Sequence, residues 1–129
     1  MPERTKFTEL KKIFRTLRGP KGCPWDKKQT HQTLLKYLKE ESNEFIDATR
    51  RKNYEHMKEE LGDILLQVMF HSQLASEDGL FDVEDVVDGL IKKLKRRHPH
   101  VFGKHKVSSV EEVIINWGKI KALEKKGIK

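Results

Sequence analysis

Two predicted helices each carry a pair of carboxylates among the apolar residues that face the core. The members of a pair are three residues apart, and the four acids are Glu41, Glu44, Glu60 and Asp63. Glu41 follows Leu38 by three residues and precedes Phe45 by four, so it lies inside the apolar stripe of its helix. Asp63 shares a stripe with Phe70 on the next helix. Since residues three apart on a helix have Cβ atoms about 5–6 Å apart, the sequence predicts two acidic pairs that point inward.

Such a cluster needs a neutralising partner, because burying an unpaired carboxylate costs on the order of several kcal/mol. Oxygen ligands from Glu and Asp, without cysteine, suit Mg²⁺, with Mn²⁺ as the alternative. A di-iron site is disfavoured because such sites use Glu-x-x-His pairs, and neither helix contains one. The competing interpretation is that the acids are solvated and pair with lysines, as we expect for Glu40 and Glu59.

A basic segment ends the fourth predicted helix. Lys93, Arg96 and Arg97 are spaced i, i+3 and i+4 and therefore share one face. Arginine forks suit phosphate oxygens, but cations also stabilise a helix C-terminus as a purely structural cap. His98 and His100 follow and are alternative metal ligands, although the carboxylate cluster fits a metal better.

The loop Gly22–Asp26, Gly-Cys-Pro-Trp-Asp, is the third candidate for function. Trp25 either fills a gap in the core or stacks on a nucleobase, since an indole can do both. Cys23 has no base beside it in the sequence, so we interpret it as a packed thiol.

Five helices position these residues, and no stretch alternates with the period of a strand. They cover about residues 5–17, 30–51, 54–76, 82–98 and 109–123. Thr30 and Asp82 are predicted N-caps, Ser109 opens a capping box with Glu112, and Pro99 ends the fourth helix. Residues 19–29 contain two Gly and two Pro and are predicted to be irregular. The fold class predicted is an all-α helical bundle.

The third helix is apolar on two sides, which indicates burial between two layers. One stripe is Met57, Leu61, Ile64, Leu65, Val68 and Met69. The other is Leu66, Phe70 and Leu74. In so short a chain, we expect the side of Leu66, Phe70 and Leu74 to be covered by a second subunit or a second layer of the bundle, in a homodimer or a homotetramer.

Length and composition limit the classes of protein. The 129 residues predict a single domain over 1–129, and the net charge of +7 favours an anionic partner. There is no apolar run of 18 residues and no signal peptide, so we expect no membrane association. A single cysteine excludes an intrachain disulfide framework, which is typical of a cytoplasmic protein.

Taken together, these residues resemble the MazG family of nucleoside triphosphate pyrophosphohydrolases. The resemblance rests on LRGPKGCPWDKKQT from residue 17, EESNE from residue 40, EELGD from residue 59, GLFD from residue 79, KRRHPHVFG from residue 95 and W-x-x-I-K from residue 117. It implies an all-α, metal-dependent, oligomeric enzyme. Such an enzyme hydrolyses nucleoside triphosphates between the α- and β-phosphates, releasing a monophosphate and pyrophosphate. Housecleaning of the nucleotide pool is one candidate for its cellular role, which the sequence leaves open.

Carried over by position, the resemblance assigns roles to the candidate residues. The implied Mg²⁺ ligands are Glu41, Glu44, Glu60 and Asp63. Glu40 matches the first acid of the motif, with a supporting or water-orienting role, and either Glu40 or Glu41 would accept the proton of the water. The implied substrate-binding residues are Trp25, Lys93, Arg96 and Arg97. Many members carry two such domains in tandem and this sequence shows one, so substrate preferences of tandem proteins do not carry over.

Two alternatives remain. A non-enzymatic basic helical module that binds nucleic acid explains the charge of +7 but not the inward acids, and no recognition motif is present. A purely structural assembly domain explains the two-sided third helix and leaves the buried acids as a cost without a function. Both are therefore less well supported than the enzyme.

Overall fold

The computed structural model describes residues 5–127 of the chain. In this range there are seven helices and no strand: α1 Lys6–Leu17, α2 Pro24–Lys28, α3 His31–Arg50, α4 Tyr54–Glu77, α5 Val83–Arg97, α6 Pro99–Phe102 and α7 Val110–Lys125. The predicted all-α class is confirmed. The chain divides into two compact units, the first ending at Val83 and the second beginning at Glu84. Residues 1–4 and 128–129, the ends of the domain predicted over 1–129, lie outside the described residues.

Local hydrogen bonds start the helices where the sequence predicts. Thr30 caps α3 in a full capping box, since its hydroxyl accepts from the Thr33 backbone and its own N–H donates to the Thr33 hydroxyl. Ser109 caps α7 by accepting from the Glu112 backbone. The capping-box prediction at α7 is only half right, because the Glu112 carboxylate accepts from the backbone and hydroxyl of Ser108 instead of Ser109.

Two short helices are corrections to the prediction. Residues 19–29 are not irregular throughout, because α2 lies within them. The helix α6 begins at Pro99, the residue expected only to end the preceding helix. Both helices carry proline in their first turn, where its fixed φ suits a helix and its missing N–H costs nothing. Proline therefore starts both helices, and Pro99 also follows directly after the end of α5 at Arg97 and its neighbour His98.

The first unit has one apolar core, to which α1, α3 and α4 all contribute. Its buried members are Phe14, Leu34, Met69, Phe70, Leu74 and Val83. The rings of Phe14 and Phe70 meet edge to face with 5.9 Å between centroids. Both α1 and α3 pack against α4, so α4 is the helix around which the unit is built. No helix among residues 5–127 is both long enough and apolar enough to cross a membrane.

Several predicted buried faces are exposed in the described chain. On α4 the stripe expected to need a second layer is mostly inside, with Phe70 only 2% exposed, whereas Leu61, Leu65, Leu66 and Val68 are exposed. On the fourth predicted helix, now α5, helical spacing predicts a buried face that includes Val86, Leu90, Ile91 and Leu94, and all four are exposed. Val110, Ile114 and Leu123 of α7 are exposed as well. Periodicity indicates that a face is apolar, but it does not say what covers it.

Candidate metal centre

Three of the four predicted ligands converge between α3 and α4. One carboxylate oxygen from each of Glu41, Glu60 and Asp63 lies within 4.8 Å of those of the other two. Glu60 is only 3% exposed, and Glu41 and Asp63 are half-buried. The convergence follows from the sequence, because acids inside the apolar stripes of two packed helices are carried toward the same helix–helix contact.

Glu44 and Glu40 lie further out. Glu44 is exposed, but its carboxyl contacts Glu60, and this hydrogen bond is the main cause that raises the pKa of Glu44. Glu40 is exposed one residue before Glu41 on α3. The structure therefore places Glu44 at the edge of the cluster instead of inside it, and Glu40 outside it.

The cluster is electrostatically strained. A hydrogen bond to Glu60 raises the pKa of Glu41 to about 8, and burial and the charges of Asp63 and Glu44 add to the effect. With both acids ionised, the Oε2 atoms of Glu41 and Glu60 are buried, and neither has a hydrogen-bond donor among residues 5–127. At neutral pH the site therefore takes up a proton in place of one of its negative charges. A divalent cation can replace that proton and satisfy both oxygen atoms.

The geometry fits Mg²⁺ or Mn²⁺. Mg²⁺ holds its oxygen ligands at about 2.0–2.1 Å in an octahedron, so two ligands of one ion are about 3–4 Å apart. The three carboxylate oxygens lie within 4.8 Å of one another, so side-chain rotation would bring them into this range. Water molecules would occupy the ligand positions that three carboxylates leave open. Among residues 5–127 no histidine joins a comparable group of three ligands, which disfavours His98 and His100 as metal ligands.

One neighbour of the cluster was missed from the sequence. His56 lies one turn before Glu60 on α4, and its Nε2 is 3.0 Å from Glu60 Oε1. The signal was a histidine four residues before a buried acid, a spacing that places two side chains on the same helix face. The acidic pattern alone does not indicate this residue, because a histidine carries no carboxylate.

Trp25 partly fills the core and partly remains accessible. Its ring meets those of Tyr37 and Phe70 edge to face, with centroids 5.8 and 6.4 Å away. The residue is nevertheless 50% exposed. It therefore covers one end of the apolar core and keeps a free surface, so stacking on a base stays a prediction. Cys23 beside it is a half-buried free thiol.

The basic segment of the second unit is engaged in an ion pair. Arg96 Nε and Arg97 Nη2 donate to the Glu124 carboxylate at 2.7 and 2.8 Å. The two arginines lower the pKa of Glu124 to about 2. Arg97 also lies over the ring of Trp117, 5.5 Å from its centroid, while Lys93 is exposed on α5. Both arginines thus connect α5 to α7, and phosphate binding by Lys93, Arg96 and Arg97 stays a prediction.

Comparisons with known proteins identify relatives of this chain. Residues 29–102 match the family described as the MazG nucleotide pyrophosphohydrolase domain. The chain is 54% identical over 119 residues to the nucleoside triphosphate pyrophosphohydrolase/pyrophosphatase MazG of Thermotoga maritima, covering 92% of this chain and 45% of that protein. It is 44% identical over 121 residues to the nucleoside triphosphate pyrophosphohydrolase of Escherichia coli K12, covering 93% of this chain and 46% of that protein.

A further curated protein and a solved structure are also similar to this chain. The uncharacterized protein YabN of Bacillus subtilis is 49% identical over 120 residues, which are 93% of this chain and 24% of that protein. The crystal structure of a mazG-related protein from Thermotoga maritima superposes with a TM-score of 0.70 at 31% identity, covering 88% of this chain and 96% of that one. The chain thus spans between about a quarter and about a half of the length of these curated relatives.

Proposed function

We propose that this chain, which belongs to the MazG nucleotide pyrophosphohydrolase domain family, hydrolyses nucleoside triphosphates with the help of Mg²⁺. The products are a nucleoside monophosphate and pyrophosphate. The observation that carries the proposal is the cluster of Glu41, Glu60 and Asp63, in which carboxylate oxygens converge within 4.8 Å. Two buried oxygens there have no donor among residues 5–127. Such oxygens support a site that binds a cation, because a cation would satisfy both of them.

The residues of the chain divide the chemistry between them. A bound Mg²⁺ supplies charge neutralisation and polarises a phosphoryl oxygen. Glu41, Glu60 and Asp63 would hold it, and Glu44 would contribute from the edge of the cluster. Water attacks the α-phosphorus, the bond from that phosphorus to the bridging oxygen breaks, and pyrophosphate leaves. A carboxylate that is not fully committed to the cation, Glu41 or Glu40, accepts the proton of the water.

The relatives support the substrate class through their names. The Thermotoga maritima and Escherichia coli proteins are described as nucleoside triphosphate pyrophosphohydrolases. Because this chain matches less than half of each, substrate and cellular role are part of the proposal. A role in removing unwanted nucleotides from the cytoplasmic pool fits this chemistry. Binding of nucleic acid is less well supported, since it leaves the strained acidic cluster without a function.

The active form is proposed to be a homodimer or a homotetramer. Leu61, Leu65 and Val68 are exposed and recur at four- and three-residue steps, so they form one apolar face of α4. Leu35 and Ile46 are exposed apolar residues of α3. A second copy of the chain would cover this surface, as is usual for contiguous apolar patches on soluble proteins.

The decisive test is a product analysis in water enriched in ¹⁸O. The protein, with Mg²⁺ and a nucleoside triphosphate, should yield monophosphate and pyrophosphate in equal amounts. Attack at the α-phosphorus places the label in the monophosphate, whereas attack at the β-phosphorus places it in pyrophosphate. A Glu59→Gln variant, which removes an exposed charge from the same helix, is the matched control and should retain activity. Accumulation of diphosphate and orthophosphate would contradict the proposal, since it means attack at the γ-phosphorus.

A further inference from the structure

Of the three converging carboxylates, Glu60 is the one that His56 contacts. The distance from His56 Nε2 to Glu60 Oε1 is 3.0 Å, and the side chains of His56 and Glu60 are 35% and 4% exposed. A carboxylate so deeply buried cannot obtain its hydrogen bonds from solvent. His56 is therefore the donor that holds this carboxyl group in place.

A second contact fixes the tautomer of His56. Arg51 Nη2 lies 3.2 Å from His56 Nδ1. A guanidinium can only donate hydrogen bonds, so Nδ1 must accept and the ring proton must sit on Nε2. That is the nitrogen that faces Glu60. Arg51 is itself held by Asp47, with 3.0 Å between Nε and Oδ2, so the chain of contacts runs from Asp47 through Arg51 and His56 to Glu60.

This arrangement assigns different tasks to the two oxygens of Glu60. Oε1 accepts from His56, while Oε2 is buried and has no donor among residues 5–127. On the basis of the metal site proposed above, we infer that His56 is a positioning residue. It orients Glu60 so that Oε2 is presented to the divalent cation. Outer residues of this kind keep a ligand in its binding rotamer, and their loss typically lowers metal affinity about 10–100-fold.

Two substitutions separate hydrogen bonding from packing. His56→Phe keeps a planar ring of similar size and removes both hydrogen bonds. His56→Gln loses the ring but keeps an N–H donor for Glu60 and a carbonyl acceptor for Arg51. Lys58→Met is the matched control, because it removes the partner of the exposed Glu55 on the same helix, 3.1 Å away. Circular dichroism and melting curves without metal establish that each variant is folded.

The readout is the affinity for Mg²⁺ and for Mn²⁺, measured by titration calorimetry on the protein without substrate. We expect His56→Phe to bind each ion at least about tenfold more weakly, and His56→Gln and the Lys58→Met control to stay within about threefold of the unsubstituted protein. Equal affinity in His56→Phe would overturn the inference while leaving the proposed function intact. A tenfold loss of metal affinity in His56→Gln would also overturn the inference, because it would indicate that His56 acts through packing. This result can be obtained even if His56→Phe fails to fold. If the unsubstituted protein binds neither ion, the proposed metal site itself is refuted, and the inference with it.

Discussion

Removing one charge from the acidic cluster should stabilise the protein without metal and weaken its response to Mg²⁺. Glu41→Gln and Asp63→Asn keep the shape of each side chain. The carboxylate oxygens lie within 4.8 Å of one another. At that upper bound, two unit charges repel by about 0.9 kcal/mol at the dielectric constant of water and by about 3.5 kcal/mol at an effective constant of about 20. Because Glu41 is half-buried, we expect Glu41→Gln to raise the free energy of unfolding by about 1–3 kcal/mol.

The stability gained by Glu41→Gln should increase as pH rises. Neighbouring groups raise the pKa of Glu41 from 4.5 to about 8, so between these values the folded state binds more protons than the unfolded state. Stability of the unsubstituted protein therefore falls as pH rises from 4.5 to 8. Glutamine does not titrate, so the gain of Glu41→Gln should be small at pH 5 and complete above pH 8.

Mg²⁺ should stabilise the unsubstituted protein more than it stabilises either variant. A ligand that binds only the folded state at 100 times its dissociation constant stabilises by about 2.7 kcal/mol. A tenfold weaker site at the same concentration gives only about 1.4 kcal/mol. We therefore expect Mg²⁺ to stabilise Glu41→Gln and Asp63→Asn less than the unsubstituted protein, and turnover to collapse in both.

The assay is urea unfolding at pH 5 and pH 8.5, with and without Mg²⁺. The control is Glu59→Gln, which should leave stability, the Mg²⁺ response and turnover nearly unchanged. A loss of stability in Glu41→Gln with or without metal would mean that Glu41 is a buried hydrogen-bonding group instead of a ligand. An unchanged Mg²⁺ response in both Glu41→Gln and Asp63→Asn would refute the site.

Two further predictions concern assembly and the second unit. Light scattering at micromolar concentration should show that the unsubstituted protein is a dimer or a tetramer. The double substitution Leu61→Glu and Leu65→Glu should convert it into monomers that keep their helical circular dichroism. A monomeric unsubstituted protein would contradict the proposed assembly. Because Arg96 and Arg97 lower the pKa of Glu124 to about 2, its stabilising contribution should be present above pH 4.5 and disappear as pH falls toward 2. Glu124→Gln should therefore melt earlier than the unsubstituted protein at pH 7 and equally at pH 2, and an equal difference at both values would rule out the ion pair as the cause.

The long helices could be predicted because their signals are local. Thr30 and Ser109 determine their helix starts through hydrogen bonds within four residues of the chain, and such contacts are readable from sequence. Burial could not be predicted in the same way. Leu65 and Phe70 both follow a helical apolar period, but only Phe70 meets α1 and α3. Which side of α4 is covered depends on the packing of helices far apart in the chain, and periodicity carries no information about that.

Most of the acidic site could be predicted, because its residues follow both the local helical period and the packing of the two helices. An acid inside an apolar stripe, such as Glu41, must follow that stripe to the helix–helix contact, so the pattern that builds the core also delivers the ligand. Glu60 converges with it for the same reason on α4. Arg96 and Arg97 obey no such rule, because a cation on an exposed face can pair with any carboxylate within reach. The partner found is Glu124, 28 residues after Arg96, and nothing in the spacing of the basic segment selects it over a phosphate. The sequence therefore predicts where burial forces an unfavourable charge, and it is silent on where a favourable charge pairs.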